Sequence, residues 1–140
     1  MCSSDLHEFR KVHQFNVFTV NTPMQYGLAK YLETAGHYLN LPKFYERKRD
    51  YLRAGLAKTK FHLLPTPGTY FQCVDYTQLG IPESQLNSAD FCQWLTKEIG
   101  VAAIPVSAFY GDPVESGVIR FCFAKKEETL AEALKRLSVL

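Results

Sequence analysis

The run Gly117-Val118-Ile119-Arg120-Phe121-Cys122-Phe123-Ala124 constrains this chain more than any other stretch of it. Its β-branched and aromatic residues favour an extended strand, and a single charged residue interrupts it. Strand side chains alternate between faces, so Ile119, Phe121 and Phe123 share one face while Val118, Arg120 and Cys122 share the other. The first set reads as core. The second carries a permanently charged guanidinium to a surface that must meet water, a carboxylate partner or a ligand, because an unpaired charge is expensive to bury. Held in a low-dielectric cleft, the planar donor fork of arginine grips a carboxylate bidentately. Paired with an internal acid, the same residue is an ordinary salt bridge.

The remaining elements supply layers for that strand. Residues 6–15 are helix-compatible but polar, with little to bury. After Val17-Phe18-Thr19-Val20 a helix is expected to start, with Thr22 as cap, Pro23 at the first helical position and Gln25 completing a capping box. Met24, Leu28, Tyr31, Leu32 and Ala35 then share one face, and Gly36 is the stop. A further helix over 42–57 directs Phe44, Tyr45, Leu52 and Leu56 inward; its Lys43, Arg47, Lys48, Arg49 and Arg53 are interleaved with Glu46 and Asp50, which describes a solvated surface. Strands are expected at 60–64 and 70–75, joined by the turn chemistry of Pro65-Thr66-Pro67-Gly68-Thr69. A helix over 89–99, capped at Asn87 or Ser88, presents Phe91, Leu95 and Ile99 and ends at Gly100. Residues 101–106 read as extended and Gly111-Asp112-Pro113 as a loop. The last helix, 127–139, carries Leu130, Ala133, Leu134 and Leu137 on one stripe, with an acidic start and a basic end that suit its dipole. This order predicts an α+β fold: a small, mainly antiparallel sheet covered by helices on one side.

Composition narrows the function classes. The 140 residues are the size of one domain, and 46% hydrophobic with 21% charged residues describes a folded globular chain. A net charge of +2 with scattered basic residues gives no footprint for nucleic acid. No segment approaches a membrane span, and Met1-Cys2-Ser3-Ser4-Asp5-Leu6 lacks a signal pattern, so a cytoplasmic protein is expected. Cys2, Cys73, Cys92 and Cys122 form no C-x-x-C pair and read as reduced, mostly buried thiols rather than a metal site. There is no Gly-rich phosphate loop, no H-E-x-x-H, no G-x-S-x-G elbow, and His7, His13, His37 and His62 fall in separate segments. Taken alone, the chain carries no complete catalytic set.

Three segments nevertheless recur in a recognisable order. They are His13-Gln14-Phe15-Asn16-Val17-Phe18-Thr19-Val20-Asn21-Thr22-Pro23-Met24-Gln25, then Gly68-Thr69-Tyr70-Phe71, then Gly100-Val101-Ala102-Ala103-Ile104-Pro105-Val106-Ser107-Ala108-Phe109-Tyr110 followed by Ile119-Arg120-Phe121-Cys122-Phe123-Ala124-Lys125. From about Arg10 to Leu137 the chain resembles the C-terminal part of class I and II aminotransferases of the fold-type I pyridoxal-phosphate group, in the branch of the methionine and kynurenine enzymes. The resemblance implies that residues 1–24 are the end of the large domain and the interdomain segment, and 25–140 the small substrate-binding domain. It assigns Arg120 to the substrate α-carboxylate, places Tyr70 and Phe109 near the substrate side chain or in the small-domain core, and places Phe18 and Thr19 in a loop reaching the neighbouring subunit's site. Where Thr19 stands, many members of the branch carry histidine.

The same resemblance implies pyridoxal phosphate in the intact enzyme, amino acid and 2-oxo acid substrates, and a homodimer. The Schiff-base lysine, the phosphate-binding residues and the aspartate for the pyridinium nitrogen match nothing in this sequence. A fragment, inactive alone and without covalently bound cofactor, is therefore the expectation. A stand-alone α+β domain that binds amino or oxo acids, or a protein partner, without catalysis is the alternative reading.

Overall fold

Alternating apolar side chains build a four-stranded antiparallel sheet in the order β1-β2-β4-β3, from β1 (His62–Leu63), β2 (Phe71–Asp75), β3 (Ile104–Pro105) and β4 (Val118–Cys122). This computed structural model describes residues 3–111 and 114–140. Cys2, and Asp112 and Pro113 of the loop expected at 111–113, lie outside the described residues. In β2 and β4 burial alternates residue by residue. Gln72, Val74, Ile119 and Phe121 are buried on one face, whereas Phe71, Cys73, Val118 and Arg120 are half-buried on the other. The expected parity of the Arg120 strand is thus realised. Both edge strands are two residues long, and Pro105, which has no N–H for a ladder, sits on an edge.

Three helices close the core face. The helix α4 (Leu41–Leu56) contributes Leu52 and Leu56, α5 (Ser88–Trp94) contributes Phe91 and Cys92, and α6 (Glu127–Leu137) contributes Leu130 and Leu137 to one cluster with Val74, Ile119, Phe121 and Phe123. Asn87 caps α5, its side chain accepting from Asp90 N at 2.9 Å. One wide π turn, Leu95–Ile99, extends α5 before Gly100, at φ 73, ends it in the left-handed region where glycine carries no Cβ penalty. Gly55 has a packing role: a Cβ there would run into the Leu134 side chain, so its absence lets α4 and α6 approach.

Gln72 is the polar exception on the core face, fully buried yet saturated. Its Oε1 accepts from Arg53 Nη1 at 2.7 Å and Thr66 Oγ1 at 2.8 Å, while its Nε2 donates to the Leu64 carbonyl at 2.7 Å and the Cys73 carbonyl at 2.6 Å. Arg53, expected on a solvated helix face, instead reaches inward to the turn between β1 and β2, and donates to Leu64 O at 3.0 Å as well. Phe44, expected inward, is 41% exposed; its neighbour Tyr45 packs on the core instead.

The chain divides into two compact units, Met1–Leu41 and Pro42–Leu140. The first holds α1 (Ser3–Asn16), α2 (Thr22–Leu32) and the short α3 (Gly36–Leu39). The cap of α2 is Asn21 rather than Thr22: the Asn21 Oδ1 accepts from Met24 N at 3.2 Å, and Gln25 Nε2 donates to Val20 O instead of closing a box. Asparagine is the stronger cap, which moves the start by one residue. The helix stops at Leu32, before Gly36. The face shared by its apolar residues is exposed, Met24 at 70% and Leu28 at 57%. Among the described residues no helix is long and apolar enough to cross a membrane.

Candidate functional site

Arg120 stands on β4 with a strand on either side, opposite Cys73 of β2 and Ile104 of β3. Its guanidinium carbon lies 4.6 Å from the ring centroid of Phe71 and 4.5 Å from that of Phe109. Phe71 reaches it because Phe71 and Cys73 share the half-buried face of β2. Phe109 reaches it from the 3₁₀ turn Val106–Phe109 that follows β3. Cation–π contact engages the positive charge and leaves the N–H donors unspent. Among the described residues no acid pairs with Arg120 and no acceptor takes a hydrogen bond from it. The cation is held by aromatic faces with its donor edge uncommitted. Burial pushes the Cys73 thiol above its usual range, and the Arg120 charge pulls the other way.

A polar cluster adjoins the turn that carries Phe109. Glu115 Oε2 accepts from the backbone N of Ser88 at 2.9 Å and from its Oγ at 3.0 Å, and Glu115 Oε1 accepts from Gly117 N at 3.0 Å. Burial would raise the carboxyl, but the Ser88, Gly117 and Ser116 N–H groups and the Ser88 hydroxyl outweigh it and hold Glu115 below the usual carboxylate range. Ser88 Oγ is also 2.7 Å from Ser107 Oγ, on the turn that carries Phe109.

Of the residues singled out in the sequence, Arg120 and Phe109 come together. Phe109 is 61% exposed, so it is no core residue; it covers the cation. Tyr70, 54% exposed, packs edge-on against Phe71 with ring centroids 5.7 Å apart. Phe18 and Thr19 are exposed in the coil between α1 and α2, in the first unit. Sequence reasoning missed Phe71, Ser88, Ser107 and Glu115. Phe71 was findable, because it sits on the non-core parity of the strand that pairs with β4. Glu115 lies 27 residues from Ser88, and nothing local announces that pairing. Of the thiols read as mostly buried, Cys92 is buried, Cys73 is half-buried and Cys122 is exposed at the end of β4.

Arg120 thus stands on a mid-sheet strand between two aromatic rings, with no acid paired to it among the described residues, and comparison with known proteins bears on the family directly. The family described as aminotransferase class I and II matches residues 6–137. The chain belongs to the class I and II aminotransferases. It is 52% identical over 134 residues to the methionine aminotransferase of Escherichia coli K12, covering 95% of this chain and 34% of that protein. It is 35% identical over 144 residues to kynurenine–oxoglutarate transaminase 3 of Rattus norvegicus, covering 91% and 32%. The crystal structure of Escherichia coli YbdL, identified as having a methionine aminotransferase function, superposes with a TM-score of 0.82 at 50% identity over 96% of this chain and 35% of that one. The chain thus spans about a third of the length of the relatives it matches.

Pyridoxal phosphate, the cofactor this family implies, requires a lysine amine for its aldehyde and clustered donors for its phosphate. Among the described residues every lysine is exposed except Lys48, whose Nζ is committed to the Lys125 carbonyl and lies over the Phe44 ring. These residues do not form a site for that group.

Proposed function

We propose that this chain is the C-terminal, substrate-binding part of an aminotransferase that moves an amino group from a hydrophobic amino acid, methionine or an aromatic one, to a 2-oxo acid, and that Arg120 holds the substrate carboxylate. The observation that carries this reading is the uncommitted guanidinium between Phe71 and Phe109. Two parallel N–H···O bonds fix both the position and the rotation of a carboxylate, and with it the neighbouring Cα. A guanidinium does not surrender its proton, so the role of Arg120 is binding and orientation, not proton transfer. Phe109 and Tyr70 then lie beside the substrate side chain, which suits an apolar one. Residues 1–24 are read as the end of the large domain and interdomain segment, 25–140 as the small domain, and Phe18 and Thr19 as the loop offered to a neighbouring subunit of a cytoplasmic homodimer. Pyridoxal phosphate is assigned to residues of the intact enzyme outside this set, and the chain alone is inactive.

The test is an NMR titration of the 140-residue chain with labelled arginine. L-Methionine and its 2-oxo acid should shift the Arg120 Nε–H resonance, and methionine amide, which lacks the carboxylate, should not. An equal response to the amide, or none to either acid, would overturn the carboxylate assignment. Borohydride reduction after incubation with pyridoxal phosphate should trap no specific lysine adduct, and amino-group transfer by the chain alone would refute its inactivity.

A further inference from the structure

The turn Val106–Phe109 poses a physical problem. It has no fully buried residue, only Val106 and Ser107 being half-buried, so apolar burial holds it weakly, yet it delivers an exposed phenylalanine to within 4.5 Å of a guanidinium carbon. A polar contact supplements the pairing of Pro105 with Ile119 just before it. The side-chain link from this turn is Ser107 Oγ to Ser88 Oγ at 2.7 Å. The direction of that bond follows from proton counting. A serine hydroxyl has one proton, and that of Ser88 goes to Glu115 Oε2 at 3.0 Å. An ionised carboxylate only accepts, so Ser107 must donate to Ser88. The chain of donors runs from Ser107 to Ser88 to Glu115. Its end is fixed to backbone at both carboxylate oxygens, through Ser88 N at the start of α5 and through Gly117 N one residue before β4. Gly117 is followed by the strand that carries Arg120, so the tether ties the turn bearing Phe109 to the strand bearing the cation that Phe109 covers.

We propose that Glu115, acting through Ser88 and Ser107, is a positioning residue that holds Phe109 over the Arg120 guanidinium. Its value for substrate binding rests on the carboxylate role assigned to Arg120; the positioning itself does not. With the aromatic lid in place, water is kept from one side of the cation, and the charge-assisted bonds that Arg120 makes gain strength in the lower dielectric. Glu115 touches neither substrate nor Arg120 in this scheme.

Ring current from Phe109 on the Arg120 side-chain protons gives a readout that needs no ligand. In the 140-residue chain with labelled arginine, Phe109→Leu should remove the Phe109 share of the upfield shift of the Arg120 Nε–H proton. Glu115→Gln, which places an amide N–H against the Ser88 donors, and Ser107→Ala should each move that proton toward the Phe109→Leu value. Adding either to Phe109→Leu should then change nothing more, and Ser107→Thr, which keeps the hydroxyl, should restore the wild-type position. Wild-type Arg120 shifts in folded Glu115→Gln and Ser107→Ala variants would overturn the proposal. So would shifts of equal size with and without Phe109, or global unfolding of both variants, since the cluster would then serve the fold at large. An Arg120 proton that responds to these variants in a chain that binds no carboxylate would uphold the tether and sink only the substrate reading.

Discussion

Replacing Arg120 with methionine separates a ligand-binding arginine from a structural one by magnitude. Methionine keeps an unbranched apolar stem against Phe71 and Phe109 and removes only the charge. What the folded state loses is two cation–π contacts, at 4.6 Å and 4.5 Å from the ring centroids. For a half-exposed cation these are worth about 0.5–1 kcal/mol each, so the expected loss is about 1–2 kcal/mol. No carboxylate among the described residues is orphaned by the change. Had Arg120 been paired with an internal acid, breaking that pair would cost about 3–5 kcal/mol through the charge left behind. Urea unfolding followed by fluorescence makes the measurement, because Trp94 is the chain's one tryptophan and packs on the core of the second unit. A destabilisation of about 3 kcal/mol or more would refute the reasoning, since it would reveal a structural partner for the guanidinium.

Gln72→Leu should destabilise the second unit by roughly 1–3 kcal/mol in the same assay, because Arg53 and Thr66 lose their shared acceptor inside the core; an unchanged midpoint would show that the network adds nothing. Glu115 is held below its usual value of 4.5 in the folded chain, so its stabilising contribution is complete above that pH and is lost as pH falls further through the folded value. Stability of Glu115→Gln should therefore vary less than that of wild type below about pH 4.5, read by unfolding curves at stepped pH; parallel curves would contradict it. Native alkylation followed by mass spectrometry should label Cys122 well before Cys92, which is buried and whose thiol burial, aided by the charge of Glu115, pushes up to about 11. Early labelling of Cys92 would show that α5 opens readily.

Much of this fold is legible in short-range pattern. The alternation in Val118–Cys122 predicted which side of the strand is core, and the stripe Leu130, Ala133, Leu134, Leu137 predicted how α6 packs. Asn87 and Gly100 marked the two ends of the fifth helical segment. Pattern misled where its partner was not local. The apolar stripe of α2 has helical spacing, yet every described residue from 4 to 41 is exposed, since spacing states what a helix is able to bury and not what lies opposite. Arg53 looked like one more surface cation because nothing nearby reveals that Gln72, 19 residues on, offers it a buried acceptor.

By itself the sequence determined that a charged fork would stand on the non-core side of a central strand, because the two-residue period of a strand allows no other placement once Ile119, Phe121 and Phe123 are core. Tertiary structure alone decided what surrounds that fork. Phe71 arrives through the pairing of β2 with β4, Phe109 through a turn placed beyond β3, and Glu115 through a bond to a helix start 27 residues away. The reason is range: side-chain alternation is set by the geometry of adjacent residues, whereas a cation's neighbours are set by sheet register and loop closure, which depend on the whole packed chain.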